Sequence, residues 1–310
     1  MIPIFEFLIL FFQLTSIVIY IFICVYLLSQ INKSSNFFQP SFIIHFTFNA
    51  IFDFLSSMSI LLFRKVTYWG YFHSFYEQNT WISELYKILF FQTITLTISG
   101  NIIISVNRFY ALYSPVNYSK IWNAKLALII VLCQIAICYL SYTHLFFTET
   151  AYIYDPATNS HQFTTPNANF SLANNGVLLT FCIIGLLITV TLNLKIFQKF
   201  RFIFQKGDRK KHGAKITMII FMILAAIFLL ITTVQISIRF YAIKTKNSIL
   251  KNKINDYFFY SIPILSALQP YLLIFLSNQL RNGIIKLIFN VKQKADRVTS
   301  FKVSFAQSKR

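Results

Sequence analysis

Seven stretches of the chain are apolar almost without interruption: about 7–29, 41–63, 88–107, 126–147, 176–194, 216–238 and 257–277. A helix needs about 20 apolar residues to cross the hydrocarbon core of a bilayer, and each stretch is close to or beyond that length. None shows the strict alternation of a barrel strand. The pattern predicts an all-α integral membrane protein, a bundle of seven transmembrane helices over residues 1–290 with a basic tail over 291–310. The first run is too long for the core of a signal peptide and follows Glu6 rather than a basic segment, so it reads as the first span. The second holds His45 and Asp53, the third ends at Arg108, and the seventh contains Pro263 and Pro270.

Charge gives the bundle a direction. Lys33, Arg108, Lys120 and Lys125, the basic residues of 195–215, and those from Arg281 to Arg310 fall on one side if the N-terminus is outside. Cytoplasmic loops are enriched in Lys and Arg, so this side is the inner one. The acids Glu6, Glu77, Glu84, Glu149, Asp155 and Asp256 then fall outside. The last outer loop, 239–256, goes against the rule, because it carries Arg239, Lys244, Lys246, Lys251 and Lys253. The loop 148–174 has no Lys or Arg and contains the sequon Asn169-Phe170-Ser171, a candidate glycosylation site; Asn32 and Asn117 begin similar triplets on the inner side.

Composition agrees with a bilayer. Hydrophobic residues make up 56% of the 310 and charged ones only 12%, half of what soluble domains carry. The net charge of +19 would suggest nucleic acid as a partner, but the cations sit in short loops between apolar runs, where anionic inner-leaflet lipids are the natural partner. Cys24, Cys133, Cys138 and Cys182 all lie inside apolar runs. They offer neither a loop disulfide nor metal spacing, and are expected to be small packing residues. Nothing calls for a metal or cofactor.

The most informative string is NRFYALYSPVNYSKIW, residues 107–122. Taken alone, Arg108 is a helix-ending cation that snorkels to phosphates. Taken with Asn107, Phe109, Pro115 and Tyr118, the string resembles the signature of rhodopsin-like receptors: an acid-Arg-aromatic triplet, then Pro seven positions after the Arg, then Tyr. The resemblance implies that Arg108 faces a G protein when the receptor opens. Asn107 departs from the family acid and offers no ionic lock. Asp53, an acid within a span, is a functional candidate by its cost alone; in that family such an Asp joins a sodium and water network, and Asn49 one turn earlier can share its bonds. Gln269-Pro270-Tyr271 keeps the family's seventh-span proline but has Leu273 at the Tyr position, and the sixth span has no proline. After the seventh span, residues 279–290 alternate Leu280, Ile284, Ile285, Leu287 and Ile288 with Arg281, Asn282 and Lys286, the pattern of an amphipathic surface helix.

Together these features look like a nematode serpentine chemoreceptor of the SRG superfamily, most like class gamma, with classes V, X and U as relatives. The likeness extends over the whole chain, including the Ser-Lys-Ile-Trp close of the string and the lack of an outer-loop disulfide. It implies a chemosensory G-protein-coupled receptor in the plasma membrane of a sensory neuron, with a heterotrimeric G protein inside and a small-molecule or lipid-like ligand outside. Candidate ligand-facing residues are Gln92, Gln134, Tyr139, His144 and Gln235; the same side chains could face core or lipid. In the tail, Thr299, Ser300, Ser304 and Ser308 are candidate phosphorylation sites.

Two rival readings are weaker. A channel or transporter would want polar residues at matching depth in several spans or a paired repeat; one intramembrane acid and an odd span count argue against both. A membrane enzyme could be imagined from Ser99, Gly100 and His144, but no oxyanion-hole, zinc or phosphate-loop pattern accompanies them. Ser99 and Gly100 read better as small residues for close helix packing.

Overall fold

The computed structural model describes residues 4–31, 38–155, 160–165, 167–204 and 213–289. The centre of the basic loop 195–215, the Asn32 triplet and the tail with its four candidate phosphorylation sites lie outside these residues. In chain order come α1 (Ile4–Gln30), α2 (Pro40–Ile60), a π-helical turn (Leu61–Lys65) that leads into α3 (Val66–Tyr68), and α4 (His73–Gln78). Next are α5 (Trp81–Tyr113), α6 (Pro115–Ile121), α7 (Ala124–Leu140) and a 3-10 turn (Thr143–Phe147). The strands β1 (Ala151–Asp155) and β2 (Ser160–Thr164) precede α8 (Ala168–Phe204), α9 (Gly213–Lys244), α10 (Ser248–Leu276) and α11 (Asn278–Phe289). Seven of these segments, built on α1, α2, α5, α7, α8, α9 and α10, are long and apolar enough to cross a membrane.

Several helices outrun the apolar stretches that announce them. The third starts at Trp81, not 88, and ends at Tyr113, not 107; the fifth covers Ala168–Phe204 rather than 176–194. An apolar run measures bilayer depth, whereas a helix continues into water as long as its backbone bonds are made. The same physics corrects the outer loop expected over 239–256. Helix α9 runs to Lys244 and α10 starts at Ser248, so Arg239 and Lys251 project from helices. The tight link has Lys246 at φ 54°, and Asn247 caps α10 by accepting from the Leu250 amide at 3.0 Å. Pro115 opens α6 at a first-turn position, where its missing N–H costs nothing.

Helix α5 is the centre of the bundle. Two-thirds (67%) of its apolar window is buried, against 17% for α1, and it packs on α2, α7, α8 and α9. Helix α1 sits outside α2 and α10, with Leu14, Val18, Ile21 and Val25 exposed on its lipid side. Helix α11 lays Leu280 and Ile284 against Tyr20, Ile23 and Leu27, while Asn282, Ile285 and Lys286 face out. All four cysteines are free. Cys138 and Cys182 are buried as packing residues and Cys24 is half-buried, but Cys133 is exposed on the bundle surface, because helix α7 presents that position to lipid rather than to a neighbour.

An antiparallel hairpin, absent from the all-helical expectation, follows the fourth span. It pairs Ala151 with Thr164 through to Asp155 with Ser160. It roofs one end of the bundle, with Phe163 buried against the Phe63, Tyr76, Tyr86 and Tyr152 rings.

Candidate functional site

Beneath the hairpin lies a cavity of about 60 Å³. The π turn after α2 supplies Arg64, α5 supplies Tyr86 and Phe90, β2 supplies Gln162 and Phe163, α8 supplies Asn174, α9 supplies Arg239, and α10 supplies Lys251, Asn255 and Phe259. Arg64 donates from Nη1 to Gln162 Oε1, and Gln162 Nε2 donates to Asp155 at 2.8 Å, so the roof is tied to the wall. The Arg64 guanidinium also lies over the Phe259 ring at 4.9 Å. Two further bonds fix the approach to the hairpin: Lys87 Nζ donates to Thr148 O at 2.9 Å, and Thr150 Oγ1 donates to Ser83 O at 2.9 Å. On the same end, buried Glu6 accepts from Tyr260 OH at 2.6 Å, from Lys65 at 3.3 Å and from Trp69, stapling α1 to the second and seventh spans. His73, Glu77 and His161 also meet at the hairpin, with ligand atoms within 4.8 Å of one another, so three groups able to ligate a metal lie together where none was expected.

Halfway down the bundle, Asp53 is buried in a polar cluster. Tyr20 OH donates to Asp53 Oδ2 at 2.6 Å, and Asn49 Nδ2 donates to the same oxygen at 3.0 Å and to Gln269 Oε1 at 3.2 Å. Pro270 has no N–H, so the carbonyl of Ser266, four residues earlier, is left without a helix partner. Tyr20 OH lies 3.4 Å from that oxygen. The proline is thus tied to the acid through one phenol, although the helix runs on through both Pro263 and Pro270. Gly100 makes the cluster fit: a Cβ there would overlap the Asn49 side-chain amide. Beside the cluster, a larger cavity of about 340 Å³ between α1, α2 and α10 is walled by Ile21, Ile51 and Phe54, all exposed on the lipid side.

At the other end, Arg108 is buried over the Phe42 ring, with Cζ 5.5 Å from its centroid. Asn107 takes no part in an ionic lock; its Oδ1 accepts from Tyr118 OH at 2.8 Å. Burial holds the Tyr118 phenol above its usual range, opposed by hydrogen bonds with Ser41 and Asn107 and by the Arg108 charge, so the hydroxyl is a protonated donor at neutral pH. Phe109 turns away from Arg108 and packs with Leu112, Ile196 and Met222, a buried cluster that ties the third, fifth and sixth spans together. Asn193 Nδ2 reinforces it by donating to Met222 O at 3.1 Å.

The sequence candidates therefore separate into two groups. Asn107, Arg108 and Tyr118 come together, and Asp53 meets Asn49 and Gln269. Phe109 belongs to the apolar cluster, and Pro115 is exposed at the start of α6. Of the ligand-facing candidates Gln92, Gln134, Tyr139, His144 and Gln235, none lines the hairpin pocket. Gln134 donates to Leu96 O and Ser99 Oγ, each at 3.0 Å, and so holds α7 to α5. Tyr139 packs beside Phe52, Leu96 and Cys138. Gln92 is buried and Gln235 half-buried deeper in the bundle. His144 Nε2 lies 2.6 Å from Asn174 Oδ1, one residue behind the pocket wall. Ser99 is partnered by Gln134 and Cys138, not by His144. Asn169 is exposed in the first turn of α8. Arg64, Tyr86, Gln162 and Asn255 were not foreseen as pocket residues; the one visible signal was the excess of cations over 239–256.

The model of a family described as serpentine type 7TM GPCR chemoreceptor Srv matches residues 8–290. No curated protein matches the chain. The matched class is V, named above among the relatives of class gamma.

Proposed function

The chain belongs to the Srv family of serpentine seven-transmembrane chemoreceptors, and from that premise we propose that it senses an external cue beneath the hairpin and signals through Arg108. Membership makes it a multi-pass plasma-membrane receptor coupled to a heterotrimeric G protein, in a family of receptors rather than enzymes. The finer likeness to class gamma rests on resemblance along the chain, with the string from Asn107 to Trp122 as its most specific part.

The observation that carries the coupling reading is the burial of Arg108 over Phe42, next in the chain to a closed apolar seam. Phe109, Leu112, Ile196 and Met222 hold the inner ends of three spans together. A ligand moves an equilibrium only by its differential affinity for the two states. Binding under the hairpin must favour a form in which that seam parts and the guanidinium reaches the G protein. The N-terminus and hairpin lie outside in this reading, with the basic clusters inside. Helix α11 rests on the inner leaflet, where Lys286 faces anionic headgroups; Arg281 is occupied in capping α10, donating to Phe275 O at 2.9 Å.

The test is coupling at matched surface expression. Cells carrying the chain, tagged at both ends, are stained intact and permeabilised and assayed for recruitment of a panel of Gα subunits. We expect an N-terminal tag exposed on intact cells, a C-terminal tag hidden, and recruitment lost in Arg108→Ala. A variant that reaches the surface and recruits as the parent does sinks the role given to Arg108.

A further inference from the structure

The pocket beneath the hairpin contains a cation with no carboxylate partner among the described residues. Arg239 is only 9% exposed. Its guanidinium is held between ring faces, 5.2 Å from the Phe258 centroid and 5.5 Å from that of Phe259. Its Nε and Nη1 have no hydrogen-bond partner among the described residues, and no carboxylate among them forms a salt bridge with it. Arg64 and Lys251 line the same space, and among the described residues none that lines it is acidic. The neighbouring acids are engaged elsewhere or stand off: Asp155 accepts from Gln162, while Asp256 is absent from the lining.

A buried charge without a partner is expensive, and ring faces return only part of the lost hydration. An arrangement of this kind is stabilised when an anion arrives. Arginine presents a planar fork that matches a carboxylate with two parallel N–H···O bonds. Asn174 Nδ2, also without a partner on the pocket wall, supplies a further neutral donor. Aromatic rings, Phe63, Phe90 and Phe163 among them, line the space alongside uncharged polar side chains such as Thr164 and Asn255. A space of about 60 Å³ holds a head group and a few carbons, given that one water needs roughly 10–15 Å³ on this scale.

We infer that the pocket takes a compact carboxylate, or the carboxylate end of a longer cue, with the acid on Arg239 and the apolar part against the Phe rings. The inference rests on the reading of this pocket as the ligand site. Its test is a binding measurement on the isolated receptor, so it can fail while G-protein coupling stands, and the reverse.

The full chain, purified in detergent, is melted in 100 mM sodium butyrate, or in 100 mM butyramide with sodium chloride added to equal ionic strength. The amide has the same shape and no charge. We expect butyrate to raise Tm by ~2 °C or more over butyramide. The rise should vanish in Arg239→Met and shrink in Lys251→Gln, a half-buried position whose change leaves the core intact. Without ligand, Arg239→Met should melt no lower than the parent, since it removes a buried charge. Equal effects of acid and amide, no effect of either, or an undiminished rise in Arg239→Met each overturn the proposal.

Discussion

Removing one hydroxyl at the Arg108 end should turn the receptor on without ligand. Tyr118 OH is the donor to Asn107 Oδ1, at 2.8 Å in a buried setting. The other end of that amide, Nδ2, has no partner among the described residues. Tyr118→Phe therefore leaves the whole Asn107 amide unsatisfied in the closed form. An orphaned buried polar group costs about 1–3 kcal/mol. In an open form the parted inner ends admit water, which satisfies the amide, so the cost falls on the closed state. That differential moves the closed-to-open ratio by about 5- to 150-fold. From a resting open fraction of about 1%, the open form rises to roughly 5–60%.

The assay is ligand-free recruitment of the cognate Gα at equal surface expression, with Tm measured on the same proteins. Tyr118→Phe should recruit more and melt lower. Pairing it with Asn107→Leu removes both polar partners, which is close to neutral when the shape is kept, so the double variant should fall back toward the parent. If Tyr118→Phe recruits no more than the parent, or if the double variant is as active as the single one, the bond does not hold the closed state.

Other expectations follow from the packing. Gly100→Ala places a methyl group into the Asn49 amide and displaces its bonds to Asp53 and Gln269; a loss of about 2–4 kcal/mol should appear as a lower Tm, and an unchanged Tm refutes the close approach. Met222→Ala opens the apolar seam, where Met222 is 1% exposed; about 2–5 kcal/mol of packing is lost, and ligand-free signalling should rise, while an inactive but well-expressed variant would count against the seam as a clasp. Glu6→Gln leaves Lys65 without its charge partner while keeping much of the shape; since Lys65 is 14% exposed, about 1–3 kcal/mol is expected, read as faster hydrogen exchange at the start of α1, and exchange equal to the parent's would show that the staple carries no stability.

The architecture was legible because bilayer crossing is a composition problem. Seven apolar runs of spanning length leave few alternatives, and Asp53 and Arg108 stand out because charges inside or at the end of such runs are costly. What stayed hidden depends on side chains meeting from distant parts of the chain. No local pattern pairs Arg64 with Gln162, or turns Phe163 down into the bundle. The polar residues in the spans, Gln134 above all, stand out in the sequence only for being polar, but a buried amide in a helical bundle is satisfied most simply by a neighbouring helix, and Gln134 does so through Leu96 and Ser99. The hairpin stays hidden for a similar reason: its strands are only five residues each, and nothing local shows that the Phe63 and Tyr86 rings give Phe163 a place to be buried.

One misfit in the sequence was informative. The positive-inside rule is a rule about loops, and by that rule the cations of 239–256 sit on the wrong side. Arg239 and Lys251 do not belong to a loop; they sit on the ends of α9 and α10 and line the pocket, where a guanidinium with no carboxylate partner among the described residues is held at a cost to the fold. A receptor can carry that cost if the cue that binds relieves it. Relief of this kind is also differential: an anion that pairs with Arg239 bridges α9 to whatever wall it touches, and α9 carries Met222 of the inner seam further back along the same helix. On the proposed reading, the residue that breaks the topology rule is therefore on the helix through which ligand charge would bias the opening of the Arg108 end.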